Sequence, residues 1–273
     1  SAVYDDCDCA EGYWYRADPV HFKADIDHAI LIDCHRLDIQ ADEASALAEA
    51  FNQHFADDGL MLQALHPQRW YLCSQQPLNI VSTCLHEAVG RNVQNFLPQG
   101  EHALTWRRQL NEAQMLFHMQ EVNVQRASTG QLAINSLWLW GEGEQVNVSE
   151  NMGWDWVMAD DAVACGLALA TDTRLLSLSD SLSEQLTGGS RGLLVIDDVL
   201  GPCSYGDVSA WIESVEAMCR QWIDPISELM KQRKIDTVEL YSGEGRMFRL
   251  NKAALFKFWR KTRTLNDFVN IHA

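Results

Sequence analysis

The stretch of sequence that decides the fold class is residues 192–196, which read Gly-Leu-Leu-Val-Ile and are followed directly by Asp197 and Asp198. A short, continuous apolar run is typical of a strand that is buried on both faces, as the strands of parallel sheets are. The run lies between two stretches that predict helices, residues 160–170 and 207–233. Strands that alternate with helices favour a parallel sheet. The sequence therefore predicts an α/β protein with a mostly parallel core.

The N-terminal part of the chain has a different order of predicted elements. Short apolar or alternating stretches predict strands, and one stretch with apolar residues at helical spacing predicts a helix that begins at Asp42. The predicted strands lie at residues 13–22 (interrupted at Pro19), 29–33, 60–65 and 69–73, and the helix ends near residue 56. A helix among short strands, two of which are joined by a turn, indicates a small α+β subdomain.

A turn separates this subdomain from the rest of the chain. Residues 97–100 read Leu-Pro-Gln-Gly, and proline and glycine are the strongest markers of turns. We therefore expect three parts: a loose acidic N-terminus at residues 1–12, a small α+β subdomain at residues 13–98, and an α/β core at residues 99–273 that ends in a basic segment.

The first elements of the predicted core are a helix and a loop. Residues 101–120 predict a helix, and Leu104, Met115 and Met119 are among the apolar residues that could form its buried stripe. Residues 125–131 are polar and predict a loop.

Composition limits the class of protein. The 273 residues include 38 acidic and 21 basic side chains, which gives a formal net charge of −17. This charge argues against nucleic acid and anionic membranes as partners. The chain has no apolar run of the roughly 18 residues that a membrane-spanning helix needs, and its first residues have no secretory signal pattern. Most of its eight cysteines are dispersed, as expected of free thiols in a reducing compartment. We therefore expect a cytoplasmic protein.

Basic residues are concentrated near the C-terminus. Residues 246–263 contain seven basic side chains and no acidic one. One interpretation is that this segment docks on an acidic face of the same chain or of a partner subunit. The other is that it contacts an anion or a nucleic acid, with Arg246 and Arg249 as candidate ligands and with Phe248, Phe256, Phe258 and Trp259 as stacking surfaces.

Three aspartates are the candidate catalytic residues. Asp160 precedes a predicted helix, and Asp197 and Asp198 follow the predicted buried strand. Carboxylates at the carboxyl end of a parallel strand lie where α/β proteins place their sites, and they suit a divalent metal or acid–base chemistry. The alternatives are a helix cap for Asp160 and a solvated loop for the other two.

The N-terminus offers a weaker metal site. Cys7 and Cys9 alternate with aspartates in the sequence Asp-Asp-Cys-Asp-Cys at residues 5–9, and thiolates with carboxylates bind soft divalent ions. An acidic terminal tail is the alternative interpretation. No cofactor is required by any motif, and a divalent metal is compatible with the sequence.

One segment carries a family resemblance. Residues 135–143 read Asn-Ser-Leu-Trp-Leu-Trp-Gly-Glu-Gly, and this resembles the N-x-x-W-x-W-G-x-G segment of archaeal-type cofactor-independent phosphoglycerate mutases. The stretch Asn-Glu-Ala-Gln-Met-Leu at residues 111–116 and the Pro-Gln-Arg-Trp-Tyr turn at residues 67–71 resemble a bacterial group related to the regulatory protein for pathogenicity factors, type E. The resemblance implies a fold like those of alkaline phosphatase and phosphomutases.

The metal ligands of the mutases have no counterparts here. Those enzymes use a late Asp-His pair and a further histidine, whereas after His118 this chain has only His272. The resemblance therefore implies a phosphomutase-like scaffold without a two-metal site that can be mapped onto this sequence.

These observations support two hypotheses. The first is a non-catalytic binding or regulatory protein that contacts a protein partner or a small phosphorylated ligand; a homodimer is also compatible. Its candidate ligand-binding residues are Asn135, Trp138, Trp140, Gly141, Gly143, Arg246 and Arg249. The second is a metal-dependent phosphoryl-transfer or hydrolytic enzyme that acts on a small phosphorylated metabolite, with Asp160, Asp197 and Asp198 on the metal and Arg246 or Arg249 on phosphate.

Overall fold

The computed structural model describes residues 12–26, 28–144, 153–186, 189–242 and 245–255. Cys7, Cys9 and nearly all of the predicted N-terminal tail lie outside these residues, as does the basic segment beyond residue 255. The chain forms two compact units, one from Ser1–Leu178 with Arg191–Trp211 and the other from Ser179–Ser190 with Ile212–Ala273. In the described part of the chain, no helix has the length and apolar character needed to cross a bilayer.

The elements of the structure follow in chain order. The strands are β1 (Tyr13–Ala24), β2 (Ala29–Ile32), β3 (Leu60–His66), β4 (Arg69–Ser74), β5 (Ser136–Glu144), β6 (Trp156–Met158), β7 (Arg174–Leu176), β8 (Gly192–Leu194), β9 (Thr237–Tyr241) and β10 (Met247–Asn251). The helices are α1 (Ala41–His54), α2 (Leu85–Ala88), α3 (Ala103–His118), α4 (Glu121–Ser128), α5 (Ala162–Ala170), α6 (Leu182–Gln185), α7 (Leu200–Ser204), α8 (Val208–Met218), α9 (Asp224–Lys231) and α10 (Lys252–Leu255).

The largest sheet is antiparallel and is organised around β1. Its order is β2-β1-β4-β3, and β5 also pairs with β1. All of these pairs are antiparallel. The predicted interruption at Pro19 is absent because the imino nitrogen faces away from β5. Val20 accepts a hydrogen bond from Asn135 on the β5 side, and successive residues alternate between the two sides. Pro19 thus lies between the stretches of β1 that pair with β4 and with β2.

Each face of this sheet packs on a separate apolar cluster. One face contributes Tyr15, Trp70 and Leu137 to a cluster that also contains buried residues of α1 and α3. The opposite face contributes Val20 and Trp138 to a smaller cluster around α2. The α3 helix buries Ala103, Trp106, Leu110, Ala113 and Phe117. The predicted stripe was partly wrong, since Leu104, Met115 and Met119 are 78%, 69% and 71% exposed.

Among the strands that the structure describes, parallel pairing is confined to three short ones. They have the order β7-β6-β8, and both pairs are parallel. The α5 helix connects β6 to β7 and packs against the sheet through Cys165 and Ala168. The structure is therefore mixed α and β, and a mostly parallel core is not confirmed. The strand predicted at residues 192–196 is present as β8, but it is half-buried, because the sheet has only three strands.

Two predictions about the middle of the chain had different outcomes. The loop predicted at residues 125–131 was wrong in its first half, because α4 continues to Ser128. The division between residues 98 and 99 stays a prediction, although β5 lies after this position and completes the sheet that contains β1.

The second unit contains α6, the C-terminal part of α8, α9, α10 and a hairpin. A π-helical turn at Cys219–Ile223 separates α8 from α9, and Pro225 lies in the first turn of α9. The π-helical turn lies directly before this proline, which cannot donate a hydrogen bond inside a helix. The β9–β10 hairpin is antiparallel, and its Leu240 and Phe248 are 53% and 51% exposed.

Candidate functional site

A buried charge pair on β1 forms the centre of the candidate site. Arg16 and Asp18 are two residues apart, so their side chains emerge on the same face of the sheet. The Arg16 Nε donates to Asp18 Oδ1 at 3.1 Å, and Nη2 donates to the same oxygen. The other carboxylate oxygen, Oδ2, accepts from Trp140 Nε1 at 2.7 Å. The side chain of Asp18 is fully buried, and that of Arg16 is 14% exposed.

Two aromatic rings hold the guanidinium of Arg16. Tyr71 of β4 and Trp140 of β5 are its direct cross-strand neighbours. The guanidinium carbon lies 5.4 Å from the centroid of each ring. Stacking of a guanidinium on aromatic faces is favourable and fixes its plane. Because Nε and Nη2 are used by Asp18, the Nη1 group is the part of Arg16 that has no hydrogen-bond partner among the described residues.

Burial and charge act in opposite directions on this pair. Burial raises the pKa of Asp18, because it penalises the charged carboxylate, while the charge and the hydrogen bonds of Arg16 oppose that rise. Burial lowers the pKa of Arg16, but the charge and the hydrogen bonds of Asp18, together with Tyr71 and Cys34, outweigh burial and leave the pKa above its ordinary value. The guanidinium is therefore charged, and Asp18 is the group of the pair that can change its protonation.

A second polar pair lies at the 3₁₀ turn Cys34–Arg36, which follows β2. Tyr205 donates its hydroxyl to Asp33 Oδ1 at 2.8 Å and accepts from the Asp33 backbone N–H at 3.1 Å. The guanidinium carbon of Arg36 lies 3.7 Å from the Tyr205 ring centroid. Burial raises the pKa of Tyr205, so its hydroxyl stays a donor at neutral pH. Arg36 is exposed and has no ion pair within the described ranges.

Arg126 of α4 fixes the position of this turn. Its side chain is 1% exposed, and Nε donates to the Leu132 carbonyl at 2.7 Å. Nη1 donates to Glu43 Oε2 at 2.7 Å, and Nη2 donates to the carbonyl of Leu37, the residue that follows the turn. A buried guanidinium with three such partners ties α4, α1 and the end of the turn together.

The carboxyl end of the parallel sheet lies close to the same turn. Asp161 follows β6 and Asp197 follows β8, and these are neighbouring strands. Partial burial and the nearby Asp161 charge raise the pKa of Asp197, and His35 is close enough to oppose the rise. His35 also opposes the rise in the pKa of Asp18. The exposed imidazole of His35 is thus a neighbour of both carboxylates.

The three aspartates predicted as catalytic have separate placements. Asp161, rather than Asp160, caps α5, since its Oδ1 accepts from the backbone N–H groups of Val163 and Ala164. Asp160, Asp197 and Asp198 are all exposed as whole residues. Considering the described ranges only, no group of three or more His, Cys, Asp or Glu side chains could hold a metal. A catalytic role for Asp160, Asp197 and Asp198 stays a prediction.

Some of the residues predicted to bind a ligand bond to backbone groups of the fold, and others lie beside Arg16. Asn135 accepts from the Phe22 N–H and donates to the Phe22 carbonyl, so its side chain extends the sheet. Trp138 is buried and donates to the Thr83 carbonyl. Trp140 stacks on Arg16. Gly141 has φ +67°, and a Cβ built there would lie 3.8 Å from Arg16 Cγ.

The remaining predicted ligands lie near the end of β5 or in the second unit. Gly143 has open space where a side chain would be. In the second unit, Arg249 pairs with Glu239 across the hairpin, with Nε donating at 2.8 Å. Arg246 is exposed at the end of the same hairpin. Ligand binding by these residues stays a prediction.

Sequence reasoning missed the central residues of the site: Arg16, Asp18, Tyr71 and Tyr205. One signal was available for two of them. Arg16 and Asp18 have opposite charges, are two residues apart in a predicted strand, and therefore share a face. The contributions of Tyr71 and Tyr205 depend on strand pairing and on contacts distant in sequence, which no local pattern shows.

Comparison with known proteins shows distant similarity to cofactor-independent phosphoglycerate mutases. The chain is 22% identical over 132 residues to the 2,3-bisphosphoglycerate-independent phosphoglycerate mutase of Methanosarcina mazei, covering 46% of this chain and 33% of that protein. It is 24% identical over 132 residues to the Methanosarcina barkeri enzyme, with the same coverage. The chain thus spans about a third of the length of these relatives.

A solved structure and a search against protein families were also compared with the chain. The cofactor-independent phosphoglycerate mutase from Thermoplasma acidophilum superposes with a TM-score of 0.41 and 15% identity, over 80% of this chain and 63% of that one. No family profile matches the chain. The relation to the regulatory protein for pathogenicity factors stays a prediction.

Proposed function

We propose that this chain is a non-catalytic binding or regulatory domain, on a phosphoglycerate-mutase-like scaffold, that recognises a small phosphorylated ligand. The observation that carries the proposal is the guanidinium of Arg16. It is held between Tyr71 and Trp140, it is fixed by Asp18 along one edge, and its Nη1 group is left for another acceptor. A pre-oriented guanidinium loses little entropy when it binds an oxyanion, and planar bidentate contacts to phosphate are its preferred use.

An arginine and a histidine lie on the turn that follows β2, in a chain that is otherwise strongly acidic. Arg36 stacks on Tyr205, and His35 is a neighbour of Asp18. A phosphate that reaches Nη1 meets the fixed positive charge of Arg16, which attracts an anion locally although the chain as a whole carries a formal charge of −17. The distant similarity to proteins named as phosphoglycerate mutases makes 3-phosphoglycerate the first ligand to test.

The test is a calorimetric titration with 3-phosphoglycerate, combined with a turnover assay on the same samples. Wild type is expected to bind one equivalent and to release no phosphate and form no isomer, with or without Mn²⁺. Arg16→Lys keeps the charge beside Asp18 but lacks the planar fork, so we expect affinity to fall about tenfold or more. Arg108→Lys is the matched control, because Arg108 is exposed on α3. Equal affinity in all three proteins would contradict the proposal, and metal-dependent turnover would contradict its non-catalytic part.

A hydrolytic or phosphoryl-transfer enzyme is the second candidate. The favouring observation is the proximity of Asp161 and Asp197 at the carboxyl end of the parallel sheet, where the pKa of Asp197 is raised. If this function holds, a panel of phosphate esters with Mg²⁺, Mn²⁺ or Zn²⁺ will reveal turnover that Asp197→Asn abolishes. Turnover unchanged in Asp197→Asn removes this role for the residue. A cytoplasmic location, a protein partner and a homodimer stay predictions.

A further inference from the structure

The carboxylate of Asp18 has few groups that compensate its charge. Its side chain is fully buried, so water does not solvate it. Within the described residues its hydrogen-bond donors are Arg16 and Trp140, and Arg16 is the one cation among them. An ionised carboxylate in such a place depends on that single guanidinium for its stability.

We infer that anion binding at Arg16 is coupled to the uptake of one proton by the buried Asp18. The inference rests on the proposed function, because it requires that an oxyanion bind to the open Nη1 group of Arg16. The proton comes from the solvent and adds to a carboxylate oxygen of Asp18, and no covalent bond to the ligand is formed. The neutral acid still accepts one hydrogen bond from Arg16.

Charge balance at the site is the physical reason. With Asp18 ionised, a bound dianion and the carboxylate share one guanidinium, and the carboxylate is buried away from water that could screen the repulsion. Protonation of Asp18 removes one of those charges and leaves Arg16 free to compensate the ligand. Burial already raises the pKa of Asp18 in the free protein, and a bound anion acts in the same direction.

The groups that face Asp18 restrict the choice of proton acceptor. On the sheet these are Arg16 of β1, Tyr71 of β4 beside Arg16, and Trp140 of β5. On the turn after β2 they are the Cys34 thiol and the His35 imidazole. Burial raises the pKa of Cys34, so the thiol is already neutral and cannot take up a proton. Two acceptors remain, Asp18 and the exposed His35, and the experiment must separate them.

The expected pH dependence has a definite sign. Binding raises the pKa of Asp18, so the complex holds more protons than the free protein at a pH between the two pKa values. Affinity is therefore highest at low pH and falls as pH rises through that window, by up to about tenfold per pH unit for one proton. Outside the window the affinity is flat.

The experiment is a titration with sulfate, a dianion that does not itself titrate near neutral pH. Calorimetry in two buffers of different protonation enthalpy gives the number of protons taken up. Wild type is expected to take up a substantial fraction of one proton. Asp18→Asn should bind sulfate with no proton uptake. The exposed-surface control Asp57→Asn should keep the wild-type value, and His35→Gln should still take up a proton. Trp140→Phe removes a donor to Asp18, so the window should move to higher pH.

The outcomes separate this inference from the function on which it rests. Sulfate binding without proton uptake in wild type overturns the inference alone. So does uptake that persists in Asp18→Asn and disappears in His35→Gln. If wild type binds neither sulfate nor 3-phosphoglycerate, the proposed function is refuted together with the inference. If Asp18→Asn does not fold, Trp140→Phe replaces it as the test. A pH window that moves to higher pH supports the inference, and a window that stays in place or moves to lower pH overturns it.

Discussion

Replacement of Arg16 by leucine tests the charge pair that organises the site. The change leaves Asp18 fully buried beside an apolar side chain and removes two hydrogen bonds to its Oδ1. Removal of one partner from a buried ion pair typically costs about 3–5 kcal/mol, because an uncompensated charge stays in the interior. We therefore expect Arg16→Leu to lower the free energy of unfolding by about 3–5 kcal/mol at pH 7.5.

The destabilisation should depend on pH and on Asp18. In Arg16→Leu the folded-state pKa of Asp18 is raised far above the unfolded value of about 4, so the folded protein binds more protons than the unfolded chain. Its stability relative to wild type should therefore recover as pH falls from 7.5 to 5. The double variant Arg16→Leu, Asp18→Leu replaces both charges by apolar groups and should be within about 1–2 kcal/mol of wild type.

Urea denaturation followed by far-ultraviolet circular dichroism measures these differences. With a slope of about 2–3 kcal/mol per molar urea, the midpoint of Arg16→Leu should fall by about 1–2 M. The reasoning is refuted if Arg16→Leu costs less than about 1 kcal/mol, or if the double variant is as unstable as the single one at every pH.

Three further variants test the packing around the site. Asn123→Ala should lower the free energy of unfolding by about 3 kcal/mol, since three buried hydrogen bonds to Phe117 and Ile134 are lost; denaturation with urea measures it. Gly192→Ala places a Cβ 1.9 Å from the Trp156 ring, so we expect a loss of about 1–3 kcal/mol that Trp156→Leu largely restores. Asp161→Ala should cost about 1 kcal/mol through loss of the α5 cap, whereas Asp160→Ala should be neutral, a difference that thermal melts can resolve.

Local patterns in the sequence predicted individual elements better than their arrangement. The apolar run at residues 192–196 corresponds to β8, and the helix predicted at residues 207–233 corresponds to α8, the π-helical turn and α9. These features depend on short-range chemistry. The antiparallel order around β1 depends on pairing between residues as distant as Arg16 and Trp140, which strand periodicity does not encode.

The missed helix and the misplaced stripe have specific causes. Residues 125–128 lack an apolar period, and the helix there is stabilised by Arg126, whose partners Glu43 and Leu37 are more than 80 positions away. On α3, both Ala103-Trp106-Leu110 and the predicted stripe have helical spacing, so periodicity alone could not choose between them. Ala113 faces the core in the same apolar cluster as the large side chains of Trp106 and Phe117.

The candidate site was predicted only in part, because its contacts join residues that are distant in sequence. Trp140 and Gly141 were selected by resemblance, and both lie beside Arg16. Asn135 and Trp138 belong to the same motif, but their polar atoms bond to the backbone of Phe22 and Thr83. A sequence motif marks residues that occur together, and it does not separate those that support the strand from those that face a ligand.

The most direct test of the central claim is a crystal structure of the protein grown or soaked with tungstate, whose anomalous signal locates the anion. The account predicts a tungstate whose oxygens lie about 2.7–3.0 Å from Arg16 Nη1, beside the ring of Trp140. A structure in which tungstate binds elsewhere, with Arg16 contacted only by Asp18 and its two aromatic neighbours, would contradict the claim.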